Sequence, residues 1–510
     1  MSSPGGGSAA SGPRPGRGAR ASGALAIVLH THMPYVESFG TWPFGEEWLW
    51  EAICGCYLPL LDLLDSGDAP LTLSLTPVLC DQLSAPGLEE RFRRFVQETR
   101  RFTHGEDAAG LRAGGHPKLA AELQRAWSAD YEHALERFAA RGGELLGALS
   151  PHVSWTSSAT HAVLPLLATD ACARLQAQTG IASHRSRFDQ GWRGGFWLPE
   201  CAHAPHLEPI LAAAGVRATC VELTRRLGRA ARENLRPLLS DSGIVLFPID
   251  RSLISLVWSD SGYPADDVYR DYHRHTVHHH NPWANGGEGY DFERARSRAR
   301  LHAADFVDRT LQRLAGEGAG LPGGGLAVCA LDTELLGHWW YEGLAWLQAV
   351  ISESAARGLE LVRLDDAIER FEPLPVAELR APAEARAGSE RAWTWEDSPP
   401  SSWGRDNDLG TWSGPAVAEL AFAARAAELQ TLAAAVSGIA GPAAVRELLA
   451  LQSSDWAFMV SRGLAVPYAR ERFEGHRAAL SRALEEGPGA DLTGLRELAV
   501  HADPSLLLAP

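Results

Sequence analysis

No stretch of about 18 consecutive apolar residues occurs in this 510-residue chain, so no transmembrane helix is expected. Its first 22 residues, MSSPGGGSAASGPRPGRGARAS, lack the apolar stretch of a signal peptide and read as a disordered leader. Cysteine is scarce as well. The seven cysteines (54, 56, 80, 172, 201, 220 and 329) form no even, regularly spaced framework. Cys54 and Cys56 make a C-x-C pair, not the C-x₂-C of zinc or redox sites. Most of the others lie in apolar runs as small buried hydrophobes, which fits a reducing, cytoplasmic compartment. No phosphate-binding loop, dinucleotide glycine motif or G-x-S-x-G elbow is present. A surplus of positive charge is also missing: 47 basic against 63 acidic residues leave a formal charge of −16. Such a surface repels nucleic acid and anionic membranes but not a neutral polymer.

With 45% apolar and 22% charged residues, the composition is that of an ordinary globular protein. Its length suffices for a large core and an accessory domain. LAIVLH (25–30) reads as a buried parallel strand ending in a polar cluster. The pattern returns in LTLSL (71–75), LLGAL (145–149), GFWL (195–198), ATCVEL (218–223), GIVLF (243–247), LAVCAL (326–331) and LELVRL (359–364). Helical patterns separate these runs, including EWLWEAICGCYLPLLDLLD (47–65) and PKLAAELQRAWSADYEHALERFAA (117–140). Alternation of this kind predicts an α/β fold with a parallel sheet, in which seven or eight strands close into a barrel. Residues 373–413 read as a connection, Pro-, Ala- and Glu-rich over 373–390, and 414–510 as helices broken by Gly and Pro, an all-helical C-terminal domain.

The polar residues fall where such a barrel keeps its chemistry. His30 and His32 follow the first strand, Glu200 follows GFWLP, and Asp332 follows LAVCAL. Catalytic groups cluster at the C-terminal ends of barrel strands. Cleaving a glycosidic bond with retention requires two carboxyl groups roughly 5–5.5 Å apart, one attacking and one exchanging a proton. Glu200 in FWLPECAHAP and Asp332 in ALDTELLGHWWYEG are the candidates, each directly after an apolar strand and beside aromatic residues. A lone acid there usually caps a helix or holds an ion pair; two in aromatic surroundings favour chemistry. His30, His32 and His161 form a second constellation. The i, i+2 spacing of His30 and His32 turns both rings to one side of a strand end, suited to a metal or to sugar hydroxyls. The His278–His280 tract reads as a polar loop, since adjacent side chains cannot all face one ion. Of 17 tryptophans, Trp42, Trp258, Trp393, Trp395, Trp403 and Trp412 lie in polar, Gly- and Pro-rich segments. Indoles there usually cover something; as a set they favour a sugar-stacking groove over a plug between domains.

These stretches resemble glycoside hydrolase family 57, and within it the 1,4-α-glucan branching enzymes. The matching segments are VLHTHMPYV, GTWPFGEEWLWEAI, SWTSSATHAVLPLL, GFWLPECAHAP, ALDTELLGHWWYEG, SPPSSWGRDNDLGTW and LLALQSSDWAFMVSRG, spread over about residues 25–475. The resemblance implies an incomplete (β/α)₇ barrel over 23–372, with a helical subdomain inserted near 84–142 and the helical C-terminal domain. It implies retaining transfer between α-glucan chains (amylose, glycogen or a starch-like polymer) without a metal or other cofactor. Glu200 takes the nucleophile position and Asp332 the acid/base position. His32 and His161 would line the donor sugar subsite, and Trp42, Trp258, Trp403 and Asp455 would contact the glucan. One segment departs from the pattern. Branching enzymes of the group carry a tyrosine-bearing loop ahead of Trp258, whereas RRLGRAARENLRPLLSDSG here has no tyrosine. If that loop shields the glycosyl-enzyme from water, the alternative is an α-amylase or 4-α-glucanotransferase. Two readings from other classes fit less well: a metal-dependent deacetylase, disfavoured by the lack of an H-x-x-x-H set near Asp332, and a non-catalytic glucan binder, which would have no use for both acids.

Overall fold

The computed structural model describes residues 23–37, 39–40, 44–67, 69–188, 191–379 and 394–509. The leader, Trp42 and Trp393 lie outside the described residues. The first strand, β1 (Gly23–Thr31), is buried along its whole length, as a central parallel strand covered on both faces must be. It pairs in parallel with β2 (Thr72–Leu75) on one side and with β8 (Gly325–Asp332) on the other. β3 (Val153–Ser157) and β4 (Phe196–Trp197) extend the sheet beyond β2, giving the order β4-β3-β2-β1-β8.

A second sheet contains β5 (Ala218–Val221), β6 (Leu238–Leu239), β7 (Val245–Pro248) and β10 (Leu374–Pro375), in the order β10-β6-β7-β5. The short β9 (Glu360–Leu361) pairs with the start of β1. Two contacts stitch the sheets into a ring. Gly195, next to β4, bridges in parallel to Ala218 of β5. The Asp250 N–H, just past β7, donates to the Val328 carbonyl of β8 at 2.8 Å. Strands β1, β2, β3, β4, β5, β7 and β8 thus form the seven-membered, incompletely hydrogen-bonded barrel expected from the sequence. Between β2 and β3 the chain runs through helices Leu88–Arg94, Arg101–Ala113, Pro117–Ala126 and His133–Ala140. After residue 414 it is helical, with Ala418–Val436, Pro442–Leu451, Ser454–Arg462 and Val466–Glu486 packed around Leu420, Leu448, Trp456 and Phe473.

Some elements differ from the reading of the sequence. LLGAL is a short helix, Leu145–Leu149, and the third strand is the following VSWTS. A short apolar run does not distinguish a buried helix from a strand, while the three hydroxyl side chains of VSWTS hide a strand buried at four of five positions. Two long helical patterns, 47–65 and 117–140, are each interrupted by a wide turn, at Ile53–Tyr57 and Trp127–Glu132. β10, inside the segment read as a connection, pairs with β6.

The Asp170–Arg187 helix lies against the end of β3 at Gly180, where an added Cβ would sit 1.9 Å from the Ser157 carbonyl oxygen. Gly180→Ala is therefore expected to lower stability by about 1–3 kcal/mol through overpacking, although alanine has the better helix propensity. Chemical denaturation of the two proteins measures this.

Candidate active site

Each strand of the barrel hands its terminal residues to one rim. In register, His30 of β1 lies beside Ser74 of β2 on one side and Asp332 of β8 on the other. Thr31 and Thr333 join hydroxyls at 2.7 Å, zipping the ends of β1 and β8 together. The chain turns sharply after β4, and Glu200 (φ 63°) and Cys201 (φ 48°) both adopt left-handed backbone; so does His161 (φ 60°) after β3. Non-glycine residues hold that conformation only where their surroundings over-determine it, at about 1–3 kcal/mol each. Here the result is that Glu200 and His161 turn toward each other, with His161 Nδ1 3.7 Å from Glu200 Oε1.

Two donors hold the Glu200 carboxylate. Trp403 Nε1–H donates to Oε2 at 2.9 Å, and the Ser454 hydroxyl donates to Oε1 at 2.9 Å. The Trp403 backbone N–H also donates to the Glu200 carbonyl at 3.0 Å. Trp403 follows Ser401, which bridges to His203 and anchors this part of the chain. Ser454 begins a helix of the C-terminal region, and its N–H donates to the His161 carbonyl at 3.1 Å. The next residue, Asp455, accepts from His32 Nε2–H at 3.1 Å through both oxygens. The imidazoles stack as a group. His32 and His161 are 3.9 Å apart between ring centres, and His30 lies 4.7 Å from the Trp197 indole at a small angle.

The electrostatics follow from crowding carboxyls into a half-dry pocket. Burial pushes the Glu200 carboxyl up to about 7, opposed by its Trp403 and Ser454 donors and by His32. Asp332 has no such donors among the described residues. Burial, then the negative charges of Glu200, Glu334 and Asp455, hold it well above the usual carboxylate range. The two acids are therefore biased apart: Glu200 is equipped to be an anion and Asp332 to keep its proton. Burial alone would depress His32, but the Asp455, Glu334 and Glu200 carboxylates together outweigh it and raise the imidazole. Burial and the neighbouring imidazoles keep His30 and His161 well below the ordinary value, hence neutral.

Of the residues singled out from the sequence, Glu200, Asp332, His30, His32, His161, Trp403 and Asp455 come together in this cluster. Trp258 does not join it through any hydrogen bond or ring contact among the described residues. It is 46% exposed and lines a surface cavity of about 630 Å³ with Arg229, Arg251, Ser255, Tyr263 and Asp305. The expectation of a tryptophan groove fails for two indoles. Trp395 and Trp412 are each 3% exposed. Trp395 donates to Glu208 at 2.8 Å, and Trp412 packs with Val163 and Ala202 against Trp403. In the histidine tract, His278 pairs with Asp107 at 2.7 Å and His280 lies tilted against His104 with ring centres 3.7 Å apart, consistent with a structural loop. Among the described residues no group of three or more His, Cys, Asp or Glu is arranged to hold a metal ion.

Three participants were not read from the sequence. Glu334, two residues beyond Asp332, is buried and accepts from Tyr57 OH at 2.7 Å and from the His32 N–H at 3.1 Å. Its i, i+2 spacing from Asp332 is the signal that would have found it. Ser454 and Tyr57 carry no such signal, since each meets the site only through tertiary packing.

A carboxyl with a folded-state value near 7 binds its proton more tightly folded than unfolded. Its ionisation thus weakens the fold as pH rises from about 4.5 to above 7. Glu200→Gln removes that cost, so its gain in Tm over the parent should be larger at pH 8 than at pH 5, by on the order of 2 kcal/mol in stability. Paired thermal melts at the two pH values read the difference.

Residues 155–380 match the model of glycosyl hydrolase family 57, and residues 421–495 match that of the 1,4-alpha-glucan branching enzyme C-terminal region. A probable 1,4-alpha-glucan branching enzyme of Mycobacterium tuberculosis is 32% identical over 94% of this chain and 94% of its own. A 1,4-alpha-glucan branching enzyme of Thermococcus kodakarensis is 30% identical over 91% of this chain and 74% of its own. The crystal structure of a GH57-type branching enzyme from Pyrococcus horikoshii superposes with a TM-score of 0.82 at 28% identity, covering 96% of this chain and 97% of the other. Relatedness sustained over nearly the whole length, barrel and helical region alike, makes the chain a member of glycoside hydrolase family 57.

Proposed function

We propose that this protein is a 1,4-α-glucan branching enzyme with Glu200 as nucleophile and Asp332 as general acid and base. The observation that carries the assignment is the unequal treatment of the two carboxyls. Glu200 receives two hydrogen-bond donors, whereas Asp332 is surrounded by negative charge. An anion is what attack requires, and a retained proton is what the departing sugar oxygen requires.

In the first step a Glu200 oxygen attacks the anomeric carbon of an α-1,4-linked glucose. The C1–O4 bond breaks as Asp332 gives its proton to the leaving O4, and a glycosyl ester on Glu200 remains. In the second step the 6-hydroxyl of another glucan attacks the same carbon and passes its proton to Asp332. The ester bond breaks, Glu200 returns as a carboxylate, and an α-1,6 branch is formed with net retention. The His30, His32 and His161 cluster is assigned to the wall of the donor-sugar subsite, its ring nitrogens engaged by Ser74, Thr76, Ser454, Asp455 and one another, and the Trp403 indole N–H holds the nucleophile. The exposed Trp258 is assigned to a more distant glucose of the polymer. Family membership and the branching-enzyme names of the full-length relatives support transfer to a 6-hydroxyl. All seven cysteines are free and buried, which supports a reducing, cytoplasmic setting among glycogen-like polymers. No helix among the described residues is long and apolar enough to cross a membrane.

The segment lacking the tyrosine gives the second reading its specific ground. Residues 225–243 run close along the barrel, with Arg313 donating to the Ala230 and Ala231 carbonyls and Arg226 lying over Trp395. If water reaches the ester there, the product is a shortened chain instead of a branch. Treating amylose with the protein and recording the proton NMR spectrum separates the two: new α-1,6 anomeric signals mark branching, and rising reducing ends alone mark hydrolysis.

Glu200→Gln should remove all turnover of amylose, and Asp332→Asn should lower it by about 10²–10⁴-fold. For the parent enzyme, kcat/KM is expected to rise as pH passes through about 7, where Glu200 ionises, and to fall at higher pH as Asp332 releases its proton. Initial rates across pH test both limbs, and substantial turnover by the Gln variant would refute the nucleophile assignment.

A further inference from the structure

We propose that Ser454 is a positioning residue for Glu200, and that Ser74, His30 and His161 form a one-way chain of hydrogen bonds that keeps the Ser454 hydroxyl proton pointed at the Glu200 carboxylate. The inference rests on reading Glu200 as the nucleophile but adds residues and a proton arrangement that the reading does not contain.

The contacts form an unbroken line of side chains. Ser74 Oγ lies 3.1 Å from His30 Nδ1, and His30 Nε2 lies 2.8 Å from His161 Nε2. His161 Nδ1 lies 2.8 Å from Ser454 Oγ, which lies 2.9 Å from Glu200 Oε1. All four side chains that lead to Glu200 are buried, so each polar atom is satisfied within the line or not at all. Direction follows by elimination from the Glu200 end. An indole N–H only donates, so Oε2 accepts from Trp403 whatever the state of the carboxyl. Oε1 of the anion must then accept from Ser454. A hydroxyl has one hydrogen, so Ser454 Oγ accepts from His161, which places the His161 hydrogen on Nδ1. His161 is neutral, and its Nε2 is therefore a bare acceptor that takes the His30 Nε2–H. His30 is neutral as well, leaving its Nδ1 to accept the Ser74 hydroxyl. The opposite polarity would set the Ser454 lone pairs against an anionic oxygen at 2.9 Å, which is repulsive.

The line crosses three parts of the chain. Ser74 and His30 belong to adjacent strands, His161 to the loop after β3, and Ser454 to the first residue of a helix in the C-terminal region. The helical region thereby completes the barrel's site from outside. The charged or titratable groups around the cluster are His32 from the end of β1, Asp332 and Glu334 from the end of β8, and Asp455 from the same helix as Ser454. The raised His32, stacked on His161, disfavours a second proton there and keeps the line neutral.

Two measurements test the proposal. In Ser454→Ala, the acidic limb of the kcat/KM profile should move up by about one pH unit, because a hydrogen bond to an ionised group is lost. Ser454→Thr, which keeps the hydroxyl, should restore it, and Ser74→Ala should move it in the same direction by less. A uniform loss of activity with the limb unmoved would mean that Ser454 is merely structural, and would overturn the proposal. Neutron diffraction from crystals of the unaltered protein, at a pH above the acidic limb, reads the line directly and does not depend on any variant folding. Deuterons on His161 Nδ1 and His30 Nε2 support it; deuterons on the opposite nitrogens overturn it. Failure of the nucleophile assignment shows separately, as turnover by Glu200→Gln, and leaves the neutron result intact.

Discussion

An ionised carboxylate in a poorly solvated pocket survives only while donors surround it, and Glu200 has two, drawn from segments about 200 and 250 residues further along the chain. Remove them and burial, with Asp332, Glu334 and Asp455 close by, would leave a protonated acid with no nucleophilic character. The rest of the architecture can be understood as the means of delivering Trp403 and Ser454 to that one side chain. The barrel sets Glu200 and Asp332 on a common rim, the segment anchored at Ser401 brings the indole, and the helical region brings the hydroxyl.

That delivery explains features with no other evident use. The left-handed backbone at Glu200, Cys201 and His161 is strain that a freely folding loop would shed. It persists because the Trp403 and Ser454 backbones are themselves hydrogen-bonded to the Glu200 and His161 carbonyls. Trp412, buried with Val163 and Ala202, packs against Trp403. The helical region cannot be regarded as an appendage, because its Ser454 touches Glu200 and its Asp455 accepts from His32.

The pocket also shows how one fold separates two carboxyls chemically. Both are pushed upward by desolvation, and the difference lies in hydrogen-bond donors against neighbouring negative charge. Glu334 has a part in this, raising Asp332 while held by Tyr57. The arrangement is costly to the fold, since crowding buried carboxyls together penalises their ionisation.

The sequence by itself determined most of the strands, the two principal acids and the histidine pair, because these are written locally. A continuous apolar run followed by a polar residue marks a strand end, and its period needs no knowledge of the partner strand. It misread LLGAL and overlooked VSWTS, where the local pattern carries no such distinction. It left the fate of the tryptophans open, since a polar neighbourhood in sequence says nothing of which face an indole finally covers. Trp403 and Trp395 lie eight residues apart in similar surroundings, yet one holds the Glu200 carboxylate and the other is core. Only the tertiary structure decided that, and only it brought Ser454 and Tyr57 into the site. Contacts between residues hundreds of positions apart are set by how whole elements pack, and no periodicity within a single segment records them.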